Sequence, residues 1–596
     1  GLVKMDFLGL KNLTVIAGAV NLVRKYKDKN FDIESIAIDD KETFELLRKA
    51  ETDGVFQLES PGMQNLLRRL GPTEFEDIIA CGALYRPGPL KSGMADQYVQ
   101  RKHNASLVKY EHPVLEPVLK DTLGVIIYQE QVMKISQVMG GFTMGEADKL
   151  RKAMGKKKME IVNEMRDKFL KGAEEKKISA NIAEEIYDAM SKFAQYGFNK
   201  SHAAAYGLVT YQTAYLKAHY RTEYMCALLS VYIGDQDDVK KYLTDCRAGG
   251  IEILPPDVNK SYYGFSIEGD KKIRFGLNAV KGMGEKAIQE IIAAREANGE
   301  FKTLRDFLEN VALSALNKGT LEALVKSGAF GSIEPNRAKL YTSIDRMTDA
   351  AKRFQNEKKS GQANLFGSAS VDIELPNMTD FPDSLKLLYE KETLGLYISG
   401  HPLEKYEREI RAFSSCSTAK LEERTESVSL VGLIENAQKR ISKKGKTYVT
   451  ALLEDLDGAV EIFIFEKVLK KYEEIIFSNE VVMVSGKIDA EDEVKRKIIV
   501  DDIIPLKQAR AKAISAVHVS IDPIFVDDEI LEKIRSAIEN NRGNCPVYFH
   551  VANQYIPEKI VRANGFYNIN PTDSLLNTLS ECLGDDCVRF SFKGCA

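Results

Sequence analysis

The sequence predicts a multidomain α+β protein, and three observations carry that prediction. Helical periodicity dominates residues 40–260, strict period-two alternation replaces it over 427–506, and residues 515–596 mix both patterns. The length of 596 residues allows about four domains at roughly 150 residues each. With 44% hydrophobic and 29% charged residues, the composition excludes collagen-like and wholly disordered classes. No run of about 18 apolar residues occurs, so no transmembrane helix and no membrane partner are expected, and no signal peptide is visible. The eight cysteines include no C-x-x-C pair. That usage points to a reducing, cytoplasmic setting without disulfides or structural zinc.

Residues 1–35 open with a strand-like apolar run, Leu2 to Leu10, followed by a helical pattern through Val15, Val20 and Val23. Segments 41–50, 127–139, 145–175, 181–196 and 202–232 read as helices, with breaks at Pro61-Gly62 and at Arg86-Pro87-Gly88-Pro89. Residues 262–335 read as a compact helical unit with Gly-centred turns, and 352–382 as a polar linker. Five strands follow (SVSLVGLI, TYVTALLE, AVEIFIF, VVMVSGKI, KIIVDDII), with Asp457-Gly458 as one of the turns. The strings AVHVSI, ILEKIRSAI and PVYFHVA give the last segment a small α/β or α+β character.

A formal net charge of -4 argues against nucleic acid only if it is uniform. It is not. Residues 515–596 hold eleven acidic and seven basic residues, which leaves 76 of each sign in the first 514. Within that balanced part three windows are basic: 149–158 (KLRKAMGKKK), 271–286 (KKIRFGLNAVKGMGEK) and 437–446 (AQKRISKKGK). A charge run is commonly a solvated face. Three such runs, each beside a structural signal, favour phosphate contacts.

The segment Gly276 to Ala287 (GLNAVKGMGEKA) predicts two short helices meeting at a turn built on Gly282 and Gly284. Glycine permits a positive φ and close backbone approach. The second helix then directs free N–H groups outward, where a phosphate can bind, and Lys281 and Lys286 add charge. This is a helix-hairpin-helix pattern for duplex DNA; an ordinary glycine-capped turn is the alternative. Leu321 to Gly331 reads as a degenerate second copy. The five strands match an OB-fold, which binds single strands. Lys439, Arg440, Lys443 and Lys444 lie between its first two strands, and Tyr448, Phe463 and Phe465 are either stacking platforms or core.

Alternation places Lys4, Asp6 and Leu8 on one face of the opening run. An acid among apolar residues needs a partner or a metal. One Asp does not make a two-metal site, and neither Asp235-Gln236-Asp237 nor Asp455-Leu456-Asp457 reads as a strand-borne partner. A salt bridge of Asp6 with Lys4 is the alternative. Arg151, Lys152, Lys156, Lys157 and Lys158 lie on or after one helix, and 195–202 (QYGFNKSH) forms a turn dense in donors and rings. Together they can clamp a triphosphate; for His202 the alternative is a helix-start position bonding the backbone. In the linker, Gly361 to Gly367 (GQANLFG) exposes Leu365 and Phe366, a pair suited to docking.

The strings GLVKMDFLGL (1–10), GVFQLESPGM (54–63), LYRPGPL (84–90), YQEQVM (128–133), LRKAMGKKK (150–158), YGFNKSHAAAYG (196–207) and TLGLYISGHPL (393–403) closely resemble the bacterial C-family replicative DNA polymerases of the DNA polymerase III alpha type. The resemblance spans essentially the whole chain. It implies the edge of a polymerase-beta-like palm over 1–35, mostly α-helical fingers over 36–261 and a duplex-binding helix-hairpin-helix region over 262–351. It further implies a linker with a clamp-binding peptide over 352–426, an OB-fold barrel over 427–508 and a tau-binding-like domain over 509–596. Asp6 is then the catalytic, metal-binding carboxylate. Lys4, Arg151, Lys152, Tyr196, Asn199, Lys200 and His202 serve the nucleotide. Lys156, Lys157, Lys158, Lys281, Gly282, Gly284, Lys286, Lys439, Arg440, Lys443 and Lys444 serve DNA, and Gln362, Leu365 and Phe366 the sliding clamp. Two Mg²⁺ ions, dNTP, primer-template DNA, single-stranded template, the beta clamp and the clamp-loader tau subunit are the implied cofactor and partners. The family's D-x-D pair and PHP domain would precede Gly1, so this chain alone is expected to be inactive. A non-catalytic DNA-binding adaptor that recruits clamp and loader, and a translesion relative, are the competing readings; the segment 515–596 weighs against the second.

Overall fold

Short polar side chains set the starts of many helices. Asp40, Ser60, Thr143 and Asn199 each stand with extended backbone before a helix and accept from its second or third free N–H. The computed structural model describes residues 5, 9–156, 158–194, 197–360, 373–423, 427–442, 445–478, 480–489, 496–553, 556–584 and 587–592. The chain forms two units, residues 1–400 and 401–596.

In the first unit the helix Lys11–Tyr26 buries Val15, Ile16, Ala19, Val20 and Val23. That stripe packs in one core with Leu216, Tyr224, Leu228 and Tyr242. Helices break before both prolines, as expected, and each proline then opens the next helix, Pro61–Leu70 and Pro87–Lys91. Proline at the first helical position lacks only an N–H that would have no partner there. The expected helix 145–175 divides into Met144–Gly155 and Met159–Glu175, and the expected helix 202–232 divides at Tyr220 into Lys200–His219 and Arg221–Val231. Phe142, Phe169, Tyr187 and Phe193 fill a separate core under the helices that follow Gln129. Three short strands, β1 (Glu252–Leu254), β2 (Ser266–Ile267) and β3 (Lys272–Arg274), form a sheet of order β1-β3-β2. Runs of two or three residues are too short to show alternation. The helix Ile344–Ser360 carries on through the first residues of the expected linker.

In the second unit β4 (Ser427–Ile441), β5 (Thr447–Glu454), β6 (Ala459–Phe465), β7 (Val481–Asp489) and β8 (Lys497–Pro505) close a barrel of order β4-β5-β6-β8-β7. Val460, Ile462 and Ile464 point inward. The helix Glu466–Ile476, between β6 and β7, buries Leu469 and Ile476 against the same core. The remaining strands are β9 (Ile514–Ile521), β10 (Arg542–Cys545), β11 (Val547–Asn553), β12 (Ile556–Arg562) and β13 (Val588–Phe592). They include a four-stranded sheet of order β12-β11-β9-β13. Ile534, Ile538, Leu575 and Leu579, from the helices Asp528–Asn540 and Asp573–Leu583, pack on its Val517 and Val519. The architecture is the mixed α+β one that the patterning predicts.

Candidate nucleotide site and nucleic-acid interfaces

The turn at 197–202 is tied to the start of the helix Gln129–Val138. Asn199 caps the helix Lys200–His219, its Oδ1 accepting from the His202 N–H at 2.7 Å. The first N–H groups of such a helix lack intrahelical partners and carry partial positive charge. Glu130 meets them: Oε2 accepts from the Lys200 backbone N–H at 2.9 Å, and Oε1 from Asn199 Nδ2 at 2.8 Å. One residue earlier, the Gln129 N–H donates to the Phe198 carbonyl at 2.9 Å, and its Nε2 donates to the Gly197 carbonyl at 2.8 Å.

The carboxamide oxygen of Gln129 faces the other way and accepts from Arg151 Nη1 at 2.8 Å. The opposite edge of that guanidinium rests on Asp148 Oδ1, with Nε at 3.1 Å and Nη2 at 2.7 Å. Lys152 Nζ lies 2.7 Å from the second Asp148 oxygen. The Lys152 hydrogen bond, and then that of Arg151, hold the Asp148 carboxyl below its usual range. The Arg86 guanidinium lies 3.9 Å from the centre of the Phe198 ring. The His202 ring has Phe198 at 5.4 Å and Tyr206 at 4.3 Å. Lys200 Nζ is 5.5 Å from the Tyr128 ring centre and 3.5 Å from Asp121.

Arg151, Asn199, Lys200 and His202 therefore belong to one network, with Lys152 joined through Asp148. Lys156 and Lys158 are exposed at the ends of the two following helices. Lys157 and Tyr196 lie outside the described residues. The network presents three cationic side chains, Arg151, Lys152 and Lys200, and a helix N-terminus near one another, which is chemistry suited to a polyphosphate. Gln129, Glu130 and Arg86 had no assigned role in the sequence reading. The available signal was a polar pair directly after the apolar run Gly124 to Tyr128.

At the hairpin the structure differs from two short helices: a single 3₁₀ turn, Leu277–Ala279, precedes the helix Glu285–Asn298. Gly282 has φ +93°, which disfavours any residue with a Cβ. Gly284 is different: its φ is -86°, and a Cβ built there meets nothing within 4 Å. No side chain caps the helix it precedes. Lys281 and Lys286 are exposed and have no side-chain partner among the described residues. In the second copy the turn after the helix Lys318–Lys326 is closed by Arg337, which donates to the Lys326 carbonyl at 3.3 Å and to Glu390 at 2.8 Å.

On the barrel Tyr448, Phe463 and Phe465 lie on the outer side, since their neighbours Val449, Ile462 and Ile464 are buried. The Tyr448 and Phe463 rings are 6.3 Å apart and 17° from parallel, and Lys497 Nζ lies 5.3 Å from the Phe463 ring centre. Beside them runs a groove of about 560 Å³ lined by Asn436, Gln438, Arg440, Thr450, Glu461 and Lys497. A bulge in β4 between Glu435 and Gln438 shapes that wall. Lys439 does not join the groove: its ammonium pairs with Glu473 at 2.5 Å and lies 5.4 Å from the Phe477 ring centre. Lys443 and Lys444 lie outside the described residues.

Three family models match the chain. Residues 12–177 match the bacterial DNA polymerase III alpha subunit finger domain, 250–340 a helix-hairpin-helix motif, and 428–506 an OB-fold nucleic acid binding domain. Over 611 aligned residues the chain is 38% identical to the DNA polymerase III subunit alpha of Escherichia coli strain K12, with 99% of this chain and 53% of that protein covered. The chain belongs to the bacterial DNA polymerase III alpha-subunit family. The alpha subunit of Vibrio cholerae is 38% identical and that of Pseudomonas aeruginosa 36%, each matching 100% of this chain and 53% of its own length. The chain thus spans about half the length of the curated alpha subunits it matches.

Asp6 and Lys4 lie outside the described residues, as do Gln362, Leu365 and Phe366. Among the described residues no group of three or more His, Cys, Asp or Glu side chains is arranged to hold an ion. Asp235 caps the helix Gln236–Ala248, accepting from the Asp238 N–H at 3.3 Å. Asp455 is committed to a hairpin turn. Among the described residues no carboxylate cluster fits Mg²⁺. No helix of the described residues is long and apolar enough to cross a membrane.

Proposed function

We propose that this chain supplies the nucleotide-binding, DNA-binding and partner-binding parts of a replicative DNA-directed DNA polymerase, which adds dNMP to a primer 3′-hydroxyl under template direction. The observation that carries this is the joining of Arg151, Lys152, Asn199, Lys200 and His202 into one network, in a chain 38% identical to an alpha subunit over 99% of its length. In this reading Arg151, Lys152 and Lys200 bind the triphosphate, Asn199 shapes the helix start beneath it, and His202 with Tyr196 borders the sugar and base. Lys4 joins the phosphate contacts. Lys156, Lys157 and Lys158 contact DNA.

The hairpin of Lys281, Gly282, Gly284 and Lys286 holds the duplex backbone. The barrel face with Arg440 holds single-stranded template, with Lys443 and Lys444 adding charge, whereas Lys439, paired with Glu473, stands outside the groove. Gln362, Leu365 and Phe366 engage the sliding clamp, and 509–596 engages the tau subunit. Asp6 is assigned to ligate Mg²⁺, with carboxylates not found in this chain completing the pair of ions. The domain limits proposed from the sequence stand with this reading, as does a cytoplasmic setting. The test is DNA binding and primer extension by residues 1–596 alone. The expected outcome is tight primer-template binding with no nucleotide added; extension by this chain would overturn the assignment of the missing carboxylates.

A further inference from the structure

We propose that Gln129 and Glu130 are positioning residues of the nucleotide site, fixing Arg151 and the 197–202 turn at the spacing a triphosphate needs. The inference rests on assigning those groups to nucleotide binding. A guanidinium at the end of a long side chain must be ordered before it can grip a phosphate, and that ordering costs rotamer entropy. Arg151 is ordered from two sides. The contact with Asp148 lies within its own helix and cannot relate Arg151 to the turn. The contact with Gln129 can, because the same carboxamide that accepts from Arg151 at 2.8 Å donates to the Gly197 carbonyl at 2.8 Å. One planar group thus spans from the cation to the turn. An amide side chain offers an acceptor and a donor at opposite sides of one planar group.

Glu130 completes the clasp. Its two oxygens take Asn199 Nδ2 at 2.8 Å and the Lys200 N–H at 2.9 Å. Holding Nδ2 orients the Asn199 amide so that Oδ1 faces the His202 N–H, where it caps the helix at 2.7 Å. The start of that helix, with the Lys200 side chain on it, is thereby fixed against the helix that carries Gln129. A rival role has the opposite sign: Glu130 would be a stand-in anion at the helix start, displaced by the incoming phosphate.

The test is single-nucleotide incorporation by the polypeptide extended to the length of its relatives, with dNTP and primer-template varied separately. Gln129→Met is expected to raise KM for dNTP about tenfold, with kcat and DNA affinity nearly unchanged. Added to Arg151→Ala it should raise KM no further, because the two residues act as one unit. Gln129→Glu, which keeps the acceptor for Arg151, should recover part of the loss. Glu130→Gln should also raise KM. Thermal unfolding identifies folded variants, and Gln129→Glu with Glu130→Gln carry the test if Gln129→Met does not fold. An unchanged KM in the folded variants, or effects of Gln129→Met and Arg151→Ala that multiply, would overturn the positioning role. A lowered KM in Glu130→Gln would establish the stand-in anion instead. Absence of incorporation by the wild type would overturn the polymerase reading beneath it.

Discussion

The carboxylate of Asp455, 4% exposed, closes the hairpin between β5 and β6. It accepts from the Thr418 N–H at 2.7 Å and hydroxyl at 2.6 Å, and from the Asp457 and Gly458 N–H groups at 2.9 Å each. Hydrogen bonds to a buried charge are each worth about 1.5–3 kcal/mol, and their loss leaves donors unpaired. Asp455→Ala is therefore expected to destabilise residues 401–596 by about 3 kcal/mol, measured by chemical unfolding; an unchanged midpoint would contradict it. The acids spaced D-x-D at 235 and 455 thus have structural work, as their failure to sit on a shared strand face suggested. His202 takes the helix-start position, its N–H donating to the Asn199 cap, and its ring packs between Phe198 and Tyr206. The charge on Arg151 was legible in the sequence. Its partner was not, because Gln129 is 22 residues away on another helix and only packing brings the two together.

Among the elements, the hairpin makes the most direct claim on DNA. Lys281 and Lys286 flank a helix start without a side-chain cap, and the site of Gly284 is open to an approaching backbone. Each phosphate contact by a lysine releases about one counterion and contributes roughly one to the slope of log K against log salt. Lys281→Ala with Lys286→Ala should reduce the magnitude of that slope for duplex binding by about 2. An unchanged slope would remove the hairpin from the duplex interface. The five barrel strands were legible because each runs for seven residues or more with stretches of alternation, cleanest in β5 and β6. The three strands of the first unit are at most three residues long and carry no such period. The basic stretch after residue 437 was read as a loop; β4 extends through Ile441, so Lys439 and Arg440 are strand residues, paired with Val449 and Tyr448. Proline marked helix boundaries at Pro61 and Pro87, each standing at the first position of a new helix, where its missing N–H costs nothing.

At the scale of the whole molecule, a net charge of -4 described no single part of it. The acidic excess lies after residue 514, and the basic groups concentrate at the fingers network, the hairpin and the barrel groove. That division agrees with the proposed DNA contacts of the basic regions and the proposed protein contact of the terminal segment. Changing Leu365 and Phe366 together to Ala should abolish binding to the sliding clamp while leaving DNA affinity intact, as read by surface capture of the clamp. Undiminished clamp binding would place the contact elsewhere.

The proposed place of this chain in a template-directed polymerase is tested most directly by primer extension. The polypeptide extended to the length of its alpha-subunit relatives is compared with the same protein carrying Asp6→Asn. The wild type is predicted to add only the nucleotide that the template dictates, and Asp6→Asn to add none while binding primer-template equally well. Undirected addition or none by the wild type, or full activity in Asp6→Asn, would contradict it.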